Sequence, residues 1–436
     1  ATVTIQNDWI VPGNNATTTN GHWDSPAIWS QGRRPVAGDS VFVSHSVLLT
    51  NATEQLTLLT NSGAITFSNW SARLSADNVY LGAGTVTHSP GYATNNTPLA
   101  SNRVHIVCGN LTLSAGASIN VDSKGYYPFG PGTIATLGYS RYGGTYGGQG
   151  YGGANTYGSA AAPTDPGSSG GAQSVPGYGG LGGGAVRLDV TDLLTLDGTI
   201  TANGGIGGAD AGGGSGGGIY LTAARVAGTG TIRANGGYPG NTVNAGGGGG
   251  GRIAIAYNPG VQSAVTPRPT LTLSAAGGAA DLPRFGGLGT LYVTDTQLLV
   301  ENMSSNYNGV ICNIPSWSPD HIVCSGLVQF ASANVRLSVS NDASFTIPSF
   351  YSSTPAISLT QCVVRGTLVL DRQPLILTNS SPSLSCGRNL LMTNGAWMSV
   401  YGSSTNAVIT NGALVRVDGA LVLSPGCWVY LSSDPV

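Results

Sequence analysis

Asp189, Asp192 and Asp197, with Arg187 beside them, form the densest acidic group in the sequence and the first place to look for carboxylate chemistry. Enzymes that cleave sugar chains need two carboxylates on one exposed face, or an aspartate cluster holding calcium beside a basic residue. On a single extended strand Asp189 and Asp192 point to opposite sides, so only a turn could bring them together. The spacing reads instead as corner carboxylates that hydrogen-bond their own backbone. Asp210 stands in its glycine run without the repeated acidic residues of calcium-binding nonapeptides. The Asp-Asp, Gly-His-Gly and Arg-Ile-Lys signatures of polygalacturonase-like enzymes do not occur. The expectation is a chain that is not an enzyme and carries no cofactor or catalytic metal.

Six cysteines are the next candidates, and in an exported chain they point to disulfides rather than to metal or thiol chemistry. Cys312 and Cys324 are the nearest pair. Cys362 and Cys386 lie about 24 residues apart, roughly one repeat of a strand fold without its loops, which would stack their side chains. Cys312, His321 and Cys324 lack a fourth ligand for zinc. Cys108 and Cys427 read as buried free thiols, a bridge between subunits being the other reading. Asn-x-Ser/Thr occurs at Asn15, Asn51, Asn69, Asn95, Asn110, Asn302 and Asn379, a number that chance supplies in a chain so rich in Asn, Ser and Thr.

Aromatic residues suggest contact chemistry. Tyr139, Tyr142, Tyr146, Tyr151 and Tyr157 fall in a Tyr/Gly-rich stretch, residues 125–180, too many to lie inside a narrow core. Tyrosine combines an apolar ring with a polar tip and suits interfaces. Self-assembly, packing of loops onto the fold, and grip on glycans are the three readings. Trp23 and Trp29 read as the packing of an N-terminal cap. The first twelve residues alternate through Val3 and Ile5 towards Trp9, and could pair within their own subunit or add to a neighbour's sheet.

The elements that must position these residues are short strands. Val41-Phe42-Val43, Val104-His105-Ile106-Val107, Leu368-Val369-Leu370 and Leu421-Val422-Leu423 are β-branched or aliphatic runs closed by turns, and sustained helical periodicity is missing. Glycine runs open into apolar strands at Gly182, Gly216, Gly246 and Gly286, about 35 residues apart, the period of a stacked fold. Thr201-Ala202-Asn203-Gly204-Gly205 is echoed by Arg233-Ala234-Asn235-Gly236-Gly237, which predicts corners with left-handed backbone stacked in columns. Gly395-Ala396-Trp397 and Gly426-Cys427-Trp428 occupy matching contexts later in the chain.

Only 8% of the 436 residues are charged and the net charge is −2. A surface of Ser, Thr, Asn and Gly with no basic run excludes the electrostatic footprint of nucleic-acid binding. No apolar stretch reaches the roughly 18 residues of a membrane span, so no membrane insertion is expected. The opening at Ala1 predicts export with a removed signal peptide, and an extracellular or cell-surface location.

The stretch from Arg103 to Tyr257, with Gly286 to Thr294, resembles the glycine-rich repeats of secreted bacterial parallel β-helix proteins of surface or adhesin-like type. Gly182 to Asp189, Leu194 to Gly205, Gly216 to Thr222, Ile232 to Gly237 and Gly246 to Tyr257 carry the likeness. Trp23, Trp29, Pro35 and Gly38-Asp39 ahead of Val41 are similar to the cap that opens many extracellular β-helices. The resemblance implies an all-β fold, a single long parallel β-helix with Gly-rich loop insertions. The expected segments are 1–20 as N-terminal strand, 21–102 as cap and first rungs, 103–295 as Gly/Tyr-rich repeats and 296–436 as C-terminal rungs. One solenoid hosts lyases, adhesins and fibre subunits alike. The neutral surface favours a filament or surface-fibre subunit whose partner is itself, ahead of a monomeric adhesin that takes extracellular glycans and, last, a polysaccharide lyase or hydrolase.

Overall fold

The computed structural model describes residues 11–91, 102–126, 128–133, 141–172, 179–240, 244–280, 283–332, 334–347, 356–379, 382–402 and 414–432. Val3, Ile5, Trp9, Tyr139 and Asn95 lie outside the described residues, and so does the side chain of Asn379. Regular structure is nearly all β, 43% strand against 3% helix, and the sheets are parallel, as the short β-branched runs require.

The longest sheet begins at Asn14–Ala16 and takes a strand from each successive pass of the chain, through Val104–Leu113, Ala185–Val190, Gly218–Thr222 and Arg252–Ala256 to Val328–Phe330. A second sheet is laid down by the same passes, from Gly21–His22 to Thr272–Ser274. Three further sheets begin at Asn302–Met303, Ser316–Trp317 and Ile357–Leu359, the first two while the long sheet is still running, and end at Leu421–Leu423, Leu414–Val417 and Trp428–Ser432. Among the described residues no sheet closes on itself.

Registry gives the core its form. Val47, Ile65, Val86, Ile119, Ile200, Ile232 and Leu273 stand directly above one another on seven strands of the second sheet. Each is almost fully buried. Val41, Leu59, Val79, Leu111, Leu194 and Val226 form the facing column in the long sheet. At about 1.5–3 kcal/mol per aliphatic side chain, such columns are the main stabilising term.

One column ends on a polar group. Leu49 and Phe67 are followed by His88, wholly buried. Its Nδ1 lies 2.7 Å from the Ser89 carbonyl, and its Nε2 accepts the Ala185 amide at 3.2 Å, which fixes the neutral tautomer. Burial pulls its pKa from 6.5 to about 4. The unfolded chain takes up the proton first, so stability present above pH 6.5 is lost as pH falls towards 4. Acidification over that range is expected to cost about 3 kcal/mol, read as a falling denaturation midpoint, and His88→Gln should flatten the slope.

The N-terminal end is closed by its own chain. Trp23 and Trp29 meet edge to face at 5.0 Å, and the Trp29 indole donates to the Trp23 carbonyl. Ser30 donates its amide to the Ala16 carbonyl and so covers the outer edge of Asn14–Ala16. Asp39, 0% exposed, accepts a two-pronged contact from Arg33 at 2.6 and 2.9 Å and the amides of Gly13 and Val36. Burial alone would raise its pKa. The Arg33 bond and those amides outweigh it and hold the carboxyl below its usual range.

The glycine-rich segments are neither strand nor loose loop. In the run Gly246 to Gly251, Gly246 and Gly249 donate to the carbonyls of Arg141 and Gly144. Gly247 and Gly250 donate to Arg284 and Gly287, and Gly248 and Gly251 to Gly237 and Ala234. Residues 212–217 repeat the pattern, donating in turn to segments 168–171, 246–249 and 202–205. Three neighbours contacted in rotation is the signature of a helix with three residues per turn, the polyproline II geometry, whose amides all point outward. Glycine runs from successive passes, joined by the Tyr/Gly insert, therefore form a hydrogen-bonded bundle. Of the three readings of the Tyr/Gly-rich stretch, its described part shows packing onto the fold, through backbone bonds.

The Asn-Gly corners also differ from expectation. Asn203, Gly204, Asn235 and Gly236 do not take positive φ. Instead Asp122 accepts the Asn203 amide, Asn203 accepts that of Asn235, and Asn235 accepts that of Ala276, at 2.6–2.9 Å. The corners do stack in a column, but glycine follows because a Cβ on Gly204 would sit 2.0 Å from the Gly214 carbonyl oxygen.

Candidate interaction sites

Asp189 lies within Ala185–Val190, not at a corner, on the outer face of the long sheet. Arg187 stands between His105 and Tyr220, and Asp189 between Val107 and Thr222. One Asp189 oxygen, Oδ2, contacts His105 Nε2 at 3.0 Å and Arg187 Nε at 2.7 Å. The other accepts from Thr222 at 3.3 Å. Burial would raise the Asp189 pKa, but the bonds from His105 and Arg187 prevail and lower it. With hydrogen on Nε2, His105 Nδ1 is left to accept from Arg103, 3.4 Å away. The Arg103 guanidinium lies over Trp70 at 4.8 Å and that of Arg187 over Tyr220 at 5.9 Å.

The group thus offers one saturated carboxylate among cations and rings. That is an arrangement for holding something rather than for a two-carboxylate cleavage. The rest of the predicted acidic cluster is dispersed. Asp192 pairs with Arg225 at 2.6 Å, and Asp197 accepts the Thr229 amide at 3.1 Å. Of the three, Asp197 does accept a backbone amide, but from Thr229, 32 residues on in the next pass, rather than from its own turn as the spacing suggested. His105 and Arg103 escaped sequence reasoning because they precede Asp189 by 84 and more residues, across the whole Tyr/Gly insert. The usable signal is the shared alternation of Val104-His105-Ile106-Val107 and Val186-Arg187-Leu188-Asp189.

A second site is the C-terminal end. Leu421 and Leu423 continue the columns of Leu390 and Met392, and Leu431 that of Val400, yet they are 51%, 42% and 56% exposed. Trp428, in the context that matches that of Trp397, stacks on it at 5.1 Å and 3° and is itself exposed. The last three strands pair on one side only among the described residues.

The remaining candidates are spread out. Tyr146 is fully buried against Tyr157, whose hydroxyl donates to the Pro166 carbonyl, so Tyr146 cannot reach another subunit. Tyr151 is half-buried and Tyr142 is 39% exposed. Asn15 is buried with its amide on the Arg33 carbonyl, whereas Asn51, Asn69 and Asn302 are exposed and Asn110 is half-buried.

All six cysteines are free thiols, which corrects the disulfide expectation for Cys312, Cys324, Cys362 and Cys386. Cys362 faces Leu384 and Cys386 faces Val364, because this pass is shorter than assumed and displaces the two sulfurs by two positions. Cys312 pairs with Tyr292 in one sheet and Cys324 with Phe345 in another. Burial pushes the Cys324 and Cys386 thiols up to about 11, leaving little thiolate to react. Among the described residues no group of His, Cys, Asp or Glu could hold a metal, and no helix is long and apolar enough to cross a membrane.

The chain matches no protein-family model, no curated protein and no solved structure. Function must therefore be argued from the sites themselves.

Proposed function

We propose that this chain is a non-enzymatic structural subunit of an extracellular filament or surface fibre: one long parallel β-helix that joins copies of itself through its C-terminal end. Support for a single solenoid comes from strands that return in register on each pass and from unbroken apolar columns. The observation that carries the assembly is the exposure of Leu421, Leu423 and Leu431 on columns that are buried everywhere else. Side chains spaced for stacking are best covered by a further surface of the same kind, and open strand edges favour addition of another chain.

The two ends are unlike, which favours a head-to-tail joint. At the N-terminal end Phe42 and Leu48 stand 38% and 37% exposed, and Leu48 borders a shallow cleft lined by Gly21, His22 and Thr66. This shoulder offers apolar surface to the C-terminal end of a neighbour, and a heterologous contact of that kind propagates. The low charge leaves little repulsion to oppose it.

Negative-stain microscopy and sedimentation test the proposal. The wild-type chain is expected to lengthen into fibres as concentration rises. Leu421→Asp with Leu431→Asp should remain a single particle with an unchanged melting temperature. Closed pairs that never lengthen, or a lone wild-type particle at high concentration, would overturn it.

A further inference from the structure

We propose that Arg103 and Arg187, mounted on Trp70 and Tyr220 on the outer face of the long sheet, form a site for sulfate or carboxylate groups carried on a polysaccharide. The site is independent of the assembly just described, since it lies mid-sheet, away from both ends.

Two guanidinium groups stand beside a single carboxylate, and only one of them is paired with it. Arg187 is paired with Asp189, whereas Arg103 has no carboxylate within 4 Å among the described residues. The two cations feel one another. Burial lowers the Arg103 pKa first, repulsion from Arg187 lowers it further, and Asp189 offsets only part. A second anion would relieve that repulsion.

Both groups are already ordered. Arg103 is anchored through Nε to the Trp70 carbonyl at 3.1 Å and by its stack on the indole. Arg187 is anchored through Nε to Asp189 and by its stack on the Tyr220 ring. An arginine held at Nε and stacked on a ring has little side-chain entropy left to lose. Its terminal nitrogens form a fork that matches a carboxylate or sulfate. Thr222, bonded to Asp189, and Tyr220, beneath Arg187, border the charges with polar and ring surface, the complement of a sugar. The two groups sit at neighbouring strands about 4.8 Å apart, so one anionic chain lying across the strands can meet both.

The test compares dextran sulfate, neutral dextran and inorganic sulfate by calorimetry at low and physiological salt. Dextran sulfate is expected to bind and dextran not to, with affinity falling as salt rises. Arg103→Gln and Arg187→Gln should each weaken binding about tenfold or more, while Asp189→Asn, which removes the lone anion, should strengthen it. Melting temperatures identify any variant that fails to fold, and the others then decide. Equal affinity for dextran, or affinity unmoved by the folded arginine variants, would overturn the site. Inorganic sulfate binding as tightly as the polymer would overturn the polysaccharide as its ligand.

Discussion

Gly248→Ala is expected to cost about 4 kcal/mol or more and to leave little folded protein at ordinary temperature. Gly248 donates to Gly237 and accepts from Gly278, with the Gly214 backbone pressed against its α-carbon. An added Cβ would lie 2.0 Å from the Gly214 oxygen and 2.5 Å from its carbon, and both belong to backbone held by its own bonds. No side chain can swing away, so the bundle must open. Relief at one segment propagates, because Gly214 is in turn bonded to Gly205 and Gly237. Gly116→Ala is the control. Its Cβ would meet only the Gly82 oxygen at 3.7 Å, an ordinary contact, and the expected change lies within about 0.5 kcal/mol. Expression yield and denaturant midpoint read both. A Gly248→Ala protein with a wild-type midpoint would mean that the glycine segments do not contact one another as described.

Loss of the Asp39 carboxylate is the second large effect expected. Asp39→Ala leaves the half-buried Arg33 guanidinium and the Gly13 and Val36 amides without the acceptor that they share. Breaking one side of a buried pair costs about 3–5 kcal/mol, and because water can reach Arg33 the expected loss is at the lower end, about 3 kcal/mol. Because the folded pKa is lowered, this contribution is present above the ordinary carboxylate range and lost as pH falls through the folded value. Its window therefore lies below that of His88, whose loss begins near 6.5 and ends at about 4. Denaturant titrations at stepped pH should resolve two slopes in the wild type. Asp39→Ala should shrink the lower one, to which Asp189 also contributes, and leave the upper one intact; an unchanged lower slope would show that the cap draws its acid sensitivity from elsewhere.

Legibility in the sequence followed side chains. Val104 to Val107, Leu368 to Leu370 and Leu421 to Leu423 announced strands because apolar alternation is a local property, and each is a strand. Trp397 and Trp428 announced matching places in successive passes because both follow the same turn, and the structure stacks them. The Asp189 site was half legible: Arg187 was in view, while His105 and Arg103 were not, since nothing local ties residues so far apart. Cys362 and Cys386 were misjudged because pass length, unlike alternation, depends on every turn between them.

Sequence alone determined the class of this protein: short strands in parallel sheets with almost no helix, a low-charge surface and apolar columns. β-branched alternation fixes backbone conformation and face residue by residue, without reference to distant chain. Only the tertiary structure decided which neighbours each glycine bonds. A residue without a side chain carries no mark of its direction, and the three-residue rotation of the bundle is visible only when all its segments are in place.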